Sequence, residues 1–244
     1  MNFSLEHAQN TGSIIFNSAP CEDEATIAVT GMGRSGTTMI ARILDAFGLF
    51  MGEPLSPQFM EDQRILDLIR TDQFDDLAAL CRERDKTCAK WAFKCPALRG
   101  KLNHVHPLLR APRYIVPFRD IAAISLRNNL SVGTDLKEAL GQAARGYAKL
   151  LSALENIDAP VLLLSYEKAL QYPDLTVQTL ADFCGVTLPP SAVKRIAAQS
   201  IRNGDPRYLA KDDPGEPERK ARLFPALRLF CRWVCDRNKN STHK

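Results

Sequence analysis

Five short apolar runs, at 26–30, 49–51, 90–94, 113–118 and 160–164, alternate with segments of largely helical periodicity. Runs this short, apolar throughout and without a polar alternate, read as strands buried on both faces. After the first run, Ile40, Ile43, Leu44 and Phe47 recur on one helical face until Gly48 stops the pattern, so a helix begins near Gly36. Residues 58–83 carry two helical patterns broken near Thr71-Asp72. The longest helix is predicted over 135–154, with Leu136, Leu140, Ala143, Tyr147, Leu150 and Leu154 as its inner stripe. A further helix starts at Pro173 and ends before Gly185. This alternation predicts the α/β class, a three-layer parallel sheet with helices on both faces. Residues 1–20 read as a flexible N-terminal arm and 21–244 as a single domain. Within it, 204–217 is a polar, proline-containing loop. A basic helix over 218–237 closes the chain, with Leu223, Leu227, Phe230 and Val234 on one side, docked on the domain rather than laid on a membrane surface.

Composition narrows the function without naming it. A chain of 244 residues, 45% hydrophobic and 25% charged, is an ordinary globular length and make-up. A net charge of +4 suits an anionic small-molecule ligand and is too small to argue for nucleic acid. No stretch reaches the length of a transmembrane helix, and the first residues, with Glu6 and no long apolar core, do not read as a signal peptide. The seven cysteines are odd in number and match no zinc spacing, so they are expected reduced, mostly buried, in a cytoplasmic protein. Cys231 and Cys235 would share a helix face but lack partners, and His104 and His106 diverge on a helix or loop. No metal site is expected.

The chemistry concentrates after the first strand, where residues 31–38 read Gly-Met-Gly-Arg-Ser-Gly-Thr-Thr. A nucleotide triphosphatase loop reads G-x-x-x-x-G-K-[ST], its lysine reaching the β- and γ-phosphates. Here Gly31 and Gly36 hold the glycine positions and Thr38 the hydroxyl, while Thr37 stands where the lysine belongs and the positive charge sits at Arg34. The helix N-terminus and its free N–H groups face whatever the loop holds, and Gly33 and Gly36 let the backbone approach an anion. A phosphate-binding, P-loop-like segment without its γ-phosphate lysine predicts a donor other than ATP.

Ligands in such sheets lie at the carboxyl ends of the strands. The second strand ends in Gly52-Glu53-Pro54, where Glu53 is either a proton acceptor or a glutamate in a surface turn. The third ends in Lys94, either a charge stabiliser for a transferring oxygen or a solvated strand-end lysine. After the fourth, Arg119 and Ser125 could grip one phosphate together. Asp120, beside Arg119, could alternatively hold the metal of a triphosphatase, although an anion site is the more natural reading. Pro117 belongs at the end of its strand because it lacks a ladder N–H. Tyr166, after the fifth strand, is expected to pack near the third strand's exit and is given no chemistry.

Taken in order, these pieces resemble the sulfotransferases that use 3′-phosphoadenosine 5′-phosphosulfate. Arg34-Ser35-Gly36-Thr37-Thr38 resembles the family's 5′-phosphosulfate loop, in the arginine form of tyrosylprotein and many bacterial members. Lys94-Cys95-Pro96 resembles the lysine-bearing strand exit, and Arg119 through Ser125 the 3′-phosphate motif. Ser165-Tyr166-Glu167, followed by Phe183-Cys184-Gly185, resembles the Tyr-Glu-Asp exit and the Phe-Leu-Gly helix end, so the likeness spans about residues 25–188. It implies metal-independent transfer of a sulfuryl group to an acceptor hydroxyl or amine, with adenosine 3′,5′-bisphosphate as the product. Gly33, Arg34, Ser35, Gly36, Thr37 and Thr38 would hold the 5′-phosphosulfate, Arg119 and Ser125 the 3′-phosphate, and Lys94 the leaving oxygen. The catalytic histidine of the cytosolic small-molecule members is replaced here by Pro96. Gly52-Glu53 and Glu53-Pro54 resemble the glutamate contexts of tyrosylprotein and carbohydrate members, which makes Glu53 the expected base. Arg202-Asn203-Gly204 is a faint counterpart of the family's late donor-covering motif. A small-molecule kinase or ATPase with a degenerate loop, or a non-catalytic anion-binding protein on this fold, are the alternatives. The acceptor (tyrosine peptide, sugar, lipid or phenol) and the oligomeric state carry no signature.

Overall fold

The computed structural model describes residues 11–201. The expected loop at 204–217, the basic helix at 218–237 and the Arg202-Asn203-Gly204 segment lie outside them. The strands are β1 (Ser13–Phe16), β2 (Ala25–Val29), β3 (Lys90–Lys94), β4 (Pro112–Phe118) and β5 (Val161–Ser165). The helices are α1 (Thr37–Ala46), α2 (Gln63–Arg70), α3 (Phe74–Thr87), α4 (Leu102–Val105), α5 (Ile121–Val132), α6 (Leu136–Glu155), α7 (Tyr166–Gln171), α8 (Pro173–Cys184) and α9 (Pro190–Ser200). Single 3-10 turns at Pro96–Gly100 and His106–Leu108 flank α4.

The sheet runs β1-β5-β4-β2-β3, with β2 to β5 mutually parallel and β1 antiparallel to β5. The α/β class and the two helical layers are as the apolar pattern predicts, but the sheet is mixed. Part of the expected flexible arm, Ser13–Phe16, is an edge strand, paired in register with Leu164, Leu163, Leu162 and Val161. Its own residues are largely exposed, which is why no buried-strand pattern marks it. The run at 49–51 contributes a single parallel bridge, Phe50 to Trp91, before Gly52 at φ 110° turns the chain away. Pro117 sits inside β4 without disturbing it. Ile115 faces β2, since its carbonyl accepts from Thr30 N, so residue 117 faces the same side, beyond the point where β2 has ended. No ladder bond is lost there.

Side chains alternate across the sheet and divide the core in two. Ile27, Val29, Ala92 and Ile115 pack with α1, α8 and α9, whereas Ala28, Trp91, Phe93, Tyr114 and Val116 pack with α2, α3 and α6. Lys94 continues the Ala92 parity and therefore points to the α1 face. The break between α2 and α3 falls at Thr71–Gln73, with Asp72 at φ 57°.

Burial protects three thiols. It pushes Cys81 up to about 12, Cys95 to about 11 and Cys184 to about 12, from 9.0. Unfolded, these thiols ionise near 9.0, while folded they hold their protons, so stability is lost as pH rises from there toward the folded values. The unfolding midpoint is expected to fall progressively in that alkaline window. At about pH 8, a thiol reagent read by mass spectrometry is expected to mark the partly exposed Cys21 and Cys88 before these three.

Candidate functional site

In the strand order, β2 stands between β3 and β4. The chain leaves β2 toward β3 and then crosses back past β2 to reach β4. This reversal opens a crevice at the carboxyl ends of β2 and β4, the place where such sheets hold ligands. The segment Thr30–Gly36 lines one side and Arg119 the other.

The loop is shaped by its own hydrogen bonds. Buried Ser35 donates from its hydroxyl to Met32 O at 2.7 Å and from its N–H to the same carbonyl at 3.2 Å. Its side chain thus closes the turn. Arg34 adopts φ 68° and Gly36 φ 106°, both left-handed. Only glycine fits at 36, because a Cβ would lie 2.6 Å from the Tyr166 ring. Around Gly33, by contrast, a Cβ would meet nothing within 4 Å, so the backbone faces open space.

The head of α1 is prepared for an anion. Its ladder starts with Ile40 N to Gly36 O at 3.2 Å, which leaves the N–H groups of Thr37, Thr38 and Met39 ahead of it. No side chain caps this end, and no acidic residue occupies the first turn. The Arg34 side chain is half-buried and makes no hydrogen bond or ion pair among the described residues. A free guanidinium beside an uncapped helix N-terminus fits a phosphate or sulfate group.

Arg119, at the exit of β4, is tied to this loop from across the crevice. Its Nη1 donates to Arg34 O at 3.1 Å, and its guanidinium lies 4.4 Å over the Tyr166 ring. That ring therefore stands between Gly36 and Arg119; it packs on the first and fourth strand exits, not near the third as expected. Tyr147 clamps the Arg119 backbone, accepting from its N–H at 2.8 Å and donating to its carbonyl at 3.0 Å. The Arg119 Nε is buried and has no hydrogen-bond partner among the described residues. Asp120 caps α5 by accepting from Ala122 N at 2.8 Å, and its own N–H donates to Glu167. Ser125, on α5, is buried and donates to Ile121 O at 2.6 Å. No cluster of three metal-ligating side chains occurs among the described residues.

Lys94 reaches α1 as its strand parity requires. Its ammonium donates to Thr38 Oγ1 at 3.2 Å, to Phe59 O at 2.7 Å and to Glu61 Oε1 at 3.0 Å. Burial lowers its pKa from 10.5, and the hydrogen bond and charge of Glu61 oppose that. The loop carrying Phe59 and Glu61 is knotted by Ser56 N to Glu61 O and Met60 N to Ser56 O, both at 2.8 Å. Glu53, at the loop's start, is exposed and has no hydrogen-bond partner among the described residues.

Glu61 is the partner of Lys94 that the sequence reading misses. Its neighbour Asp62 caps α2, with Oδ1 accepting from Ile65 N at 3.0 Å. An aspartate preceding the apolar period of 65, 66 and 69 is a helix-start signal that would have set the boundary at 62 and left Glu61 in the loop. Asp62 also pairs with buried Arg84, whose guanidinium lies 5.5 Å over Phe50 and 5.1 Å over Trp91. A Cβ at Gly52 would overlap the Asp62 carboxylate, so glycine there keeps the pair in place.

The backbone fold recurs in solved structures. The chain has the fold of the sulfotransferases. Sulfotransferase STF1 from Mycobacterium tuberculosis is 17% identical, with a TM-score of 0.50, over 72% of this chain and 71% of that one. The sulfotransferase domain of the Synechococcus PCC 7002 olefin synthase is 18% identical, with a TM-score of 0.50, over 88% of this chain and 95% of that one. No protein-family model matches the sequence, and no curated protein does. The likeness to the sulfotransferase fold is thus one of backbone architecture.

Proposed function

We propose that this protein is a metal-independent sulfotransferase that moves a sulfuryl group from 3′-phosphoadenosine 5′-phosphosulfate to an acceptor hydroxyl or amine in the cytoplasm. The observation that carries the reading is the pairing of two cationic grips from two strand exits: Arg34, with no side-chain partner among the described residues at the uncapped head of α1, and Arg119, hydrogen-bonded to the Arg34 carbonyl. A triphosphate cradle has one such grip and a metal beside it.

Arg34, Thr37, Thr38 and the N–H groups ahead of the α1 ladder would hold the 5′-phosphosulfate, with Gly33 and Gly36 giving backbone access and Ser35 holding the loop's shape. Arg119 would hold the 3′-phosphate, and Ser125, buried and donating to Ile121 O, would have to turn its hydroxyl to join it. When bound, the donor supplies an activated sulfuryl group on a good leaving group, and adenosine 3′,5′-bisphosphate is the product. Lys94 places a positive charge at Thr38, where negative charge grows on the leaving oxygen. A transfer with a loose transition state is served by positioning and fixed charge more than by covalent chemistry. Glu53, exposed and unpaired, is the carboxylate free to take the acceptor's proton, whereas Glu61 is engaged with Lys94. Glu53→Gln would then lower kcat more than donor affinity.

Calorimetry tests the donor. Adenosine 3′,5′-bisphosphate is expected to bind in EDTA more tightly than ADP with magnesium, and Arg119→Ala to erase the preference for the 3′-phosphate. Absence of bisphosphate binding ends the proposal. Magnesium-dependent ATP binding would instead favour a degenerate kinase or ATPase.

A further inference from the structure

An ammonium carries three N–H donors. Those of Lys94 are all engaged, by Thr38, Phe59 and Glu61. Any contact between Lys94 and an anion at the head of α1 therefore requires one of these bonds to open. Thr38 and Phe59 are neutral acceptors that do not repel an anion. Glu61 is a carboxylate 3.0 Å from the same ammonium, and its side chain is only 17% exposed. Like charges sharing a weakly solvated cation oppose each other strongly.

The position of Glu61 is built into the fold. Its carbonyl accepts from Ser56 N at 2.8 Å and from Gln63 Nε2 at 3.2 Å. The next residue, Asp62, forms an antiparallel bridge with Leu55 and the buried pair with Arg84. The remaining titratable groups acting on Lys94 are Arg42, on α1, and the protonated thiol of Cys95, which follows β3; neither supplies a carboxylate.

We propose that Glu61 is a built-in competitor of the anionic donor for the Lys94 ammonium, so that Lys94 serves the bound anion only by giving up Glu61. The identity of the donor rests on the proposed function; the competition for Lys94 does not. In this arrangement Glu61 lowers donor affinity, and it withholds the charge-stabilising group until an anion settles at the loop.

Glu61→Gln keeps an oxygen that can accept from Lys94 and removes the charge, so the fold is preserved, as the unfolding midpoint will record. Two probes are titrated calorimetrically into wild type and variant: adenosine 3′,5′-bisphosphate and inorganic pyrophosphate. The variant is expected to bind each about tenfold more tightly. A second readout needs no nucleotide: acylation of Lys94 by an activated ester at fixed pH, followed by mass spectrometry, is expected to run about threefold or more faster in the variant. Tighter binding of pyrophosphate alone would uphold the competition and sink the sulfuryl-donor reading. Equal or weaker binding of the probes, no binding by either protein, or equal acylation rates would overturn the competition.

Discussion

Lys94→Ala is expected to lower kcat/KM about 10²–10³-fold, the usual consequence of losing one preorganised charge at a developing anion. The loss would fall mainly on kcat. In the unliganded protein Lys94 is satisfied by Glu61, Thr38 and Phe59, so its contribution to ground-state binding is offset by the bonds it must break. Glu61, 17% exposed, loses its cation in this variant, so some stability is expected to be lost and the unfolding curve must show that the variant is folded. The measurement is steady-state kinetics, with an acceptor found by screening tyrosine peptides, sugars, lipids and phenols against the loaded donor, beside a thermal unfolding curve. Turnover at the wild-type rate would remove Lys94 from the chemistry.

Asp62→Ala is expected to destabilise the protein by about 3–5 kcal/mol, because removing one member of a buried ion pair strands the other. Arg84 would then sit between Phe50 and Trp91, 5% exposed and with no carboxylate to meet it, and its Nη1 already lacks a partner. The helix cap on Ile65 would go as well, at about 1 kcal/mol. Replacing both partners with apolar residues is expected to recover much of the loss, since no uncompensated charge remains. Denaturant unfolding of the two single variants and the double variant measures this. A single variant within about 1 kcal/mol of wild type would show that the pair does not brace the loop carrying Glu61.

Much of the candidate site is legible along the chain because it is local. The glycines, Arg34 and the start of α1 lie within eight consecutive residues, and the reach of a strand–helix turn is set by backbone geometry. Lys94 and Arg119 are readable as strand ends because apolar runs stop there. Glu61 is not readable in this way. It reaches Lys94 across 33 residues of sequence, through a loop whose course depends on Gly52, Asp62 and Arg84. Tyr166 is the converse case: its place between Gly36 and Arg119 follows from packing, which apolar periodicity does not encode.

By itself, the sequence determined the parallel strands β2 to β5 and the helices α1, α6 and α8. Each of these follows from the burial of nearby side chains or from the hydrogen-bonding needs of adjacent backbone groups. The tertiary structure alone decided that β1 closes the sheet antiparallel, that Arg119 is tied to the Arg34 carbonyl, and that Glu61 rather than Glu53 holds Lys94. Those are contacts between distant segments, and their geometry is set by how the layers pack.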